Sequence, residues 1–270
     1  MLYPLTAFLS AFLLFQIQPM IARAILPWFG GSATLWTVAV LFFQLGLLAA
    51  YAYAHFVLRA LSPSRQRILH MAVVAVSLFT LPVTPSDALK PAGEHEPVLS
   101  ILRILFRTVA LPYFVVAASA PLLQGWYAQE TDSSARPGRL PSPYVLYAVS
   151  NAGSLLALLS YQFVIEPELG LRLQFGAWSI AYVCFVAALA FLVWARGRQA
   201  GMRDSVPAGA DGPAVGDLVL QAASPPRPSS MALAAALGLA AATNTLLLGL
   251  TTTLAHNIVP VPLLWVGKLN

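Results

Sequence analysis

The chain has 270 residues, of which 59% are hydrophobic and 9% charged, with a formal net charge of +5. Ordinary soluble domains carry about 25% charged residues, so a water-soluble fold of this length is excluded; it has too little polar surface to cover its apolar content. The basic residues sit in short loops between apolar blocks rather than in a basic domain of their own, which excludes a nucleic-acid-binding protein.

About 20 residues at 1.5 Å rise cross the hydrocarbon core of a bilayer. Blocks of that kind lie at roughly Tyr3–Ala22, Thr34–Leu58, Ile68–Val83, Val109–Tyr127, Tyr144–Ile165, Phe175–Trp194 and Met231–Leu254. Every backbone N–H inside lipid needs a partner, so the spacing predicts helices. The alternating strands of a barrel are missing. The expectation is an all-α, polytopic integral membrane bundle with six spans plus a seventh helix. Residues 1–196 form the six-helix bundle, 197–230 a linker, and 231–270 the seventh helix and a truncated C-terminus.

The first block begins like a signal-peptide core at Leu2–Leu14. No Lys or Arg precedes it and no small-residue cleavage site follows, so it reads as the first membrane helix. It carries Gln16, Gln18, Pro19 and Arg23. Gln16 and Arg23 are seven apart and share one helix face. Pro19 has no N–H to donate, which frees the Phe15 carbonyl and predicts a kink. Two readings stay open: interhelical hydrogen bonding, or a substrate cavity. Gly30 and Gly31 predict a short turn into the second span.

In span two, Gln44, Tyr51 and His55 stand at i, i+7 and i+11, on one face. His55, near the span's end, reads as an interfacial histidine, and with His70 it makes no metal site. Pro97–Arg107 places Val98, Ile101, Leu102 and Leu105 on one face and Arg103 and Arg107 on another, the pattern of an interfacial helix. Span four holds Pro112, Ser119, Pro121 and Gln124. Span five carries Tyr147, Ser150, Asn151, Gly153 and Ser154. Ser150 and Ser154 form a small-xxx-small pair that permits close helix approach. Asn151 lies on the side of Tyr147 and Ser154, as packing glue or as a ligand-facing amide.

The one cysteine, Cys184, falls in span six; it excludes an internal disulfide and a cysteine-based metal cluster and reads as a small buried hydrophobe. Gly197–Ser230, rich in Pro, Gly, Ala and Ser, has the composition of a flexible linker. In the seventh block, Thr243, Asn244, Thr245 and Thr251–Thr253 can bond carbonyls one turn back. Six helices, a long linker and a further helix is the layout of one half of a two-bundle transporter followed by the start of its second half.

Lys and Arg placement orients the chain. Arg59, Arg65, Arg67, Arg136, Arg139, Arg196, Arg198, Arg203 and Arg227 fall on one side. The other side holds at most Arg23, Lys90, Arg103, Arg107, Arg172 and Lys268. The N-terminus and the linker are therefore expected in the cytoplasm. Polar groups inside spans cost free energy unless partnered, so they should face a bundle interior or a cavity. The ligand-facing set is Gln16, Gln18, Arg23, Gln44, Tyr51, Tyr147, Asn151 and Ser154. No complete span holds a buried Asp or Glu, which counts against a carboxylate-driven proton pump. There is no phosphate-binding loop, GxGxxG, HExxH or GxSxG. No nucleophile–base–acid constellation, metal site or cofactor is expected.

Five stretches, taken together, carry a resemblance: FLLFQIQPMIARAILPWFGGSATLW (Phe12–Trp36), FFQLGLLAAYAYAH (Phe42–His55), SAPLLQGWYA (Ser119–Ala128), PYVLYAVSNAGSLLALLSY (Pro143–Tyr161) and TNTLLLGLTTTLAHNIVPVPLLWV (Thr243–Val266). The chain resembles the membrane region of bacterial spermidine synthase-like proteins, in which major-facilitator-like helices are fused to an aminopropyltransferase-like domain. The resemblance implies one half of a major-facilitator-type fold in a bacterial inner membrane, with a small amine or polyamine as ligand. It carries over no catalytic residue, since the glycine-rich enzyme domain of such proteins has no counterpart here, and the pattern is lost after Val266. Two functions are expected in turn. One is a transporter-like membrane domain without catalysis. The other is a membrane anchor or assembly module whose enzymatic domain is missing or supplied by a separate chain.

Overall fold

The computed structural model describes residues 2–91, 96–132 and 144–204, together with scattered positions between 229 and 246. The described residues are helical, with no strand among them. Two compact units divide the chain, Met1–Pro207 and Ala208–Asn270. The predicted linker, 197–230, straddles that boundary: helix continues through its first residues to Asp204, and the rest of it and the seventh helix lie for the most part outside the described residues. The helices α1 to α8 all belong to the first.

Helix α1 (Leu2–Ile25) runs unbroken through Pro19 and ends in a 3-10 turn, Leu26–Phe29. Gly30 and Gly31 then take positive φ of 62° and 71°, and the Gly31 N–H closes on the Leu26 carbonyl at 3.2 Å. Only glycine enters that backbone region without strain, which is why the turn sits at this pair. Helix α2 (Ala33–Ala60) returns. Pro63, pre-set for a first helical position, opens α3 (Pro63–Ser77). Helix α4 (Pro97–Thr108) meets α5 (Ala110–Asp132) at a bend of 64°. Helix α6 (Tyr144–Ser160) widens into a π-helical turn, Tyr161–Ile165, and a last helical turn, α7 (Glu166–Glu168). Pro167 lacks the N–H that would bond the Phe163 carbonyl, so the regular ladder cannot continue there. Helix α8 (Leu171–Asp204) completes the unit.

Four helical stretches are long and apolar enough to cross a membrane: Leu2–Phe29, Thr34–Ala60, Tyr144–Glu168 and Leu171–Arg198. The bent pair α4–α5 makes a fifth if it counts as one span. The expected third span differs. Helix α3 has 15 residues, about 22 Å of helix, against a core of about 30 Å, and the 3-10 turn Leu78–Thr80 and the chain after it carry the rest of the way to Lys90, over Trp28. Helix α3 also carries Arg65, Gln66, Arg67 and His70, three of which bond to other helices. The α4 pattern is amphipathic as predicted, but Ile101, Ile104 and Leu105 are buried in the core, and α4 packs against α2. Cys184 is exposed on α8 rather than buried.

Helix α1 is the centre of the unit. It packs against α5, α6 and α8, and 61% of its apolar stretch is buried, against 17% for the α6 stretch. The α1–α6 approach is close: a Cβ on Gly153 would stand 2.8 Å from the Phe8 carbonyl. Leu146, Ser150, Gly153 and Ala157 form the buried stripe of α6 at i, i+4, i+7 and i+11. The pair allowing close approach is therefore Ser150 with Gly153, while Ser154 turns partly away and bonds the Ser150 carbonyl at 3.0 Å. Side-chain bonds pin the helices: Ser10 to the Val116 carbonyl (2.6 Å), Trp178 to the Leu13 carbonyl (3.1 Å) and Tyr113 to the Phe43 carbonyl (2.9 Å). The outer faces carry Leu48, Phe56, Phe163, Ile180 and many other exposed large apolar side chains, a surface suited to lipid.

Each end of the unit has its own polar cluster. At one end Glu130 of α5 accepts from Tyr3 of α1 (2.8 Å) and Arg67 of α3 (3.0 Å), and faces Arg196 of α8 (3.4 Å). One carboxylate thus ties four helices. At the other end Arg23 bonds the Glu166 carbonyl (3.0 Å) and lies 3.5 Å from its carboxylate. There Lys90 also sits over the Trp28 ring, and its bond to Asp87 holds that exposed carboxyl below its ordinary range.

Candidate functional site

The eight predicted ligand-facing residues do not share one site. Gln16 and Arg23, one face of α1, turn toward the junction of α1, α6 and α8. Gln16 is buried and its amide reaches Ser160 Oγ at 3.4 Å. Gln18 is half-buried and donates back to the Leu14 carbonyl, local rather than ligand-facing. Gln44 and Tyr51 of α2, and Tyr147 and Asn151 of α6, are exposed. Ser154 sits between the exposed row and the buried stripe.

At the α1–α6–α8 junction lies a cavity of about 210 Å³. Phe12, Gln16 and Met20 line it from α1, at i, i+4 and i+8, which is one helix face. Tyr161 comes from the π-helical turn, and Gln174 and Trp178 from the first turns of α8. Loosened turns of this kind recur at functional sites because they turn a side chain off the regular helix face. Trp178 is locked by its bond to the Leu13 carbonyl and by stacking on Tyr182 at 5.3 Å. Gln174 is locked too: its amide nitrogen donates to the Leu169 carbonyl (2.7 Å) and the Ile165 carbonyl (3.4 Å). Both partners are acceptors, so the orientation of the amide is settled, and Gln174 Oε1 is left buried with no hydrogen-bond partner.

Among the lining residues only Gln16 belongs to the set predicted by sequence; Tyr161, Gln174 and Trp178, which bring the other polar groups, are missing from it. Gln174 and Trp178 are an i, i+4 pair, and Pro167 marks the interrupted ladder, so a signal existed. It was hidden because Gln174 falls at the predicted edge of span six, where a glutamine is unremarkable. Nor does the sequence near Arg23 offer it an acidic partner; folding brings Glu166 to it from 143 positions away.

A second buried polar group lies between α2, α3 and α5. Trp126 donates to Gln66 Oε1 (2.9 Å), and Gln66 donates to the Leu61 and Leu58 carbonyls (2.8 and 3.3 Å). His70 Nε2 bonds Ser119 Oγ at 2.9 Å. Ser119 Oγ itself donates to the Val115 carbonyl, so the His70 ring donates through Nε2. This group is internal and structural. No cluster of three or more metal-ligating side chains occurs among the described residues.

No known protein family, curated protein or solved structure matches the chain.

Proposed function

We propose that the chain is a membrane-embedded, transporter-like helical domain that handles a small molecule without catalysing a reaction on it. One observation carries the reading. Gln44 and Tyr51 on α2, and Tyr147 and Asn151 on α6, are exposed among outward residues that are mostly apolar, such as Leu41, Leu45, Leu48, Leu155 and Leu159. Lipid opposes such groups, so these positions belong against a water-filled path or other polar surface. Tyrosine faces also attract cations, which suits a small amine or polyamine, the ligand class that the spermidine synthase-like resemblance implies. Labelled putrescine and spermidine should be taken up or expelled by vesicles holding the inserted protein. Movement no greater than in empty vesicles overturns the proposal.

The same exposed row favours one second reading, a membrane anchor or assembly module on which further helices or a separate enzymatic domain dock. An Asn151→Cys variant in a Cys184→Ser background separates the two. A water-filled path lets a membrane-impermeant thiol reagent reach position 151, whereas a docked helix shields it.

A further inference from the structure

We infer that the cavity between α1, α6 and α8 is a binding site for a small uncharged molecule with an apolar body and one O–H or N–H donor, held by Gln174 Oε1. None of Gln44, Tyr51, Tyr147 and Asn151 lines the cavity, so this site stands or falls independently of transport.

Three features define the ligand. The first is the acceptor. Gln174 is 2% exposed, it is one of the residues lining the cavity, and its Oε1 is buried without a partner. A buried acceptor left unpaired is costly, so a donor delivered to it is favoured. The amide cannot rotate to relieve this, since doing so would set its oxygen against the Leu169 and Ile165 carbonyls. The second is the wall. Phe12, Met20, Trp178 and Ala181 are apolar or aromatic, the usual lining of a small-molecule site with few polar groups. The third is charge. Among the residues that line the cavity there is no carboxylate; the nearby Glu166 is engaged by Arg23. A cationic ligand would bury its charge without a counter-ion, which is expensive. Access is available at Ala177, which lines the cavity and is exposed.

Fluorine NMR on the whole chain in lipid nanodiscs tests this, with empty discs as the partition control. The probes are 4-fluorophenol, 4-fluoroanisole and 4-fluorobenzylammonium. The phenol should give saturable line broadening above the empty discs. The anisole, which has no donor, should bind roughly tenfold more weakly, the worth of one hydrogen bond of about 1.4 kcal/mol. The ammonium should bind more weakly than the phenol as well. Ala181→Leu, which fills the cavity and breaks no hydrogen bond, should abolish the phenol signal. Gln174→Met should erase the difference between phenol and anisole. Absence of saturable phenol binding, anisole or ammonium binding as tight as phenol, or phenol binding that survives Ala181→Leu would each overturn the assignment.

Discussion

A buried primary amide has two donor hydrogens and two acceptor lone pairs to satisfy. Gln66 uses three of these four, joining the Trp126 indole on α5 to the two carbonyls that end α2. It therefore supplies a helix C-terminus with the donors that helix geometry leaves missing, and it makes a polar residue tolerable at 1% exposure. Gln66→Leu has a similar volume but none of these bonds. It should lower stability by about 2–4 kcal/mol, because a buried indole N–H and two carbonyls lose their partner. Thermal melting of the detergent-solubilised protein reads this directly; an unchanged melting temperature would refute the role. Gln174 is the contrasting case. It makes the same kind of bond to carbonyls at a helix junction, yet its oxygen has nothing to accept from. The difference between a structural glutamine and a ligand-binding one is that single unfilled acceptor.

At the level of helices, separation is set by the smallest residue at the crossing. Helix α6 reaches α1 because Gly153 lets the Phe8 carbonyl come within contact distance. That neighbour is backbone and cannot move aside. At Gly125 an added Cβ would meet the tip of Leu58 at 2.7 Å, a flexible side chain that can change rotamer. Gly153→Ala should therefore cost about 1–3 kcal/mol by overpacking, whereas Gly125→Ala should cost less. Helix propensity alone favours alanine at both sites by roughly 1 kcal/mol, so propensity predicts no such ordering. Comparing the two melting temperatures decides between the accounts. The rule also bears on the cavity, because α1 and α6 must lie this close for Gln16 and Tyr161 to share one wall.

For the whole unit, sidedness follows from which ends cluster. Tyr3, Arg67, Glu130 and Arg196 meet at one end, and Arg23, Glu166 and the Lys90–Trp28 contact gather elements of the other. Positively charged loops prefer the cytoplasm, which predicts the Glu130 end inside. Ser62 adjoins the Glu130 end and Ser86 adjoins Lys90, and both are exposed. In a Cys184→Ser background, Ser86→Cys should react with an impermeant thiol reagent on intact cells. Ser62→Cys should react only after the membrane is opened. Labelling of both from the same side would rule out the alternating arrangement of the helices.

Apolar length and the positions of proline and glycine are local properties, and whatever depends on them is legible along the chain: the helical class, the membrane character, the turn at Gly30–Gly31 and the amphipathic α4. Gln16 and Arg23 are likewise marked as sharing a face, since seven residues return a helix to nearly the same direction. What each face meets is settled by folding alone, because it depends on how helices distant in sequence rotate and cross. Helix α3 shows this most clearly: its arginine, glutamine and histidine look unsuited to a core until Glu130, Trp126 and Ser119 arrive from α5 to satisfy them. The cavity is the same case, assembled from residues 12–20, 161 and 174–181, whose only link is that three helices converge there.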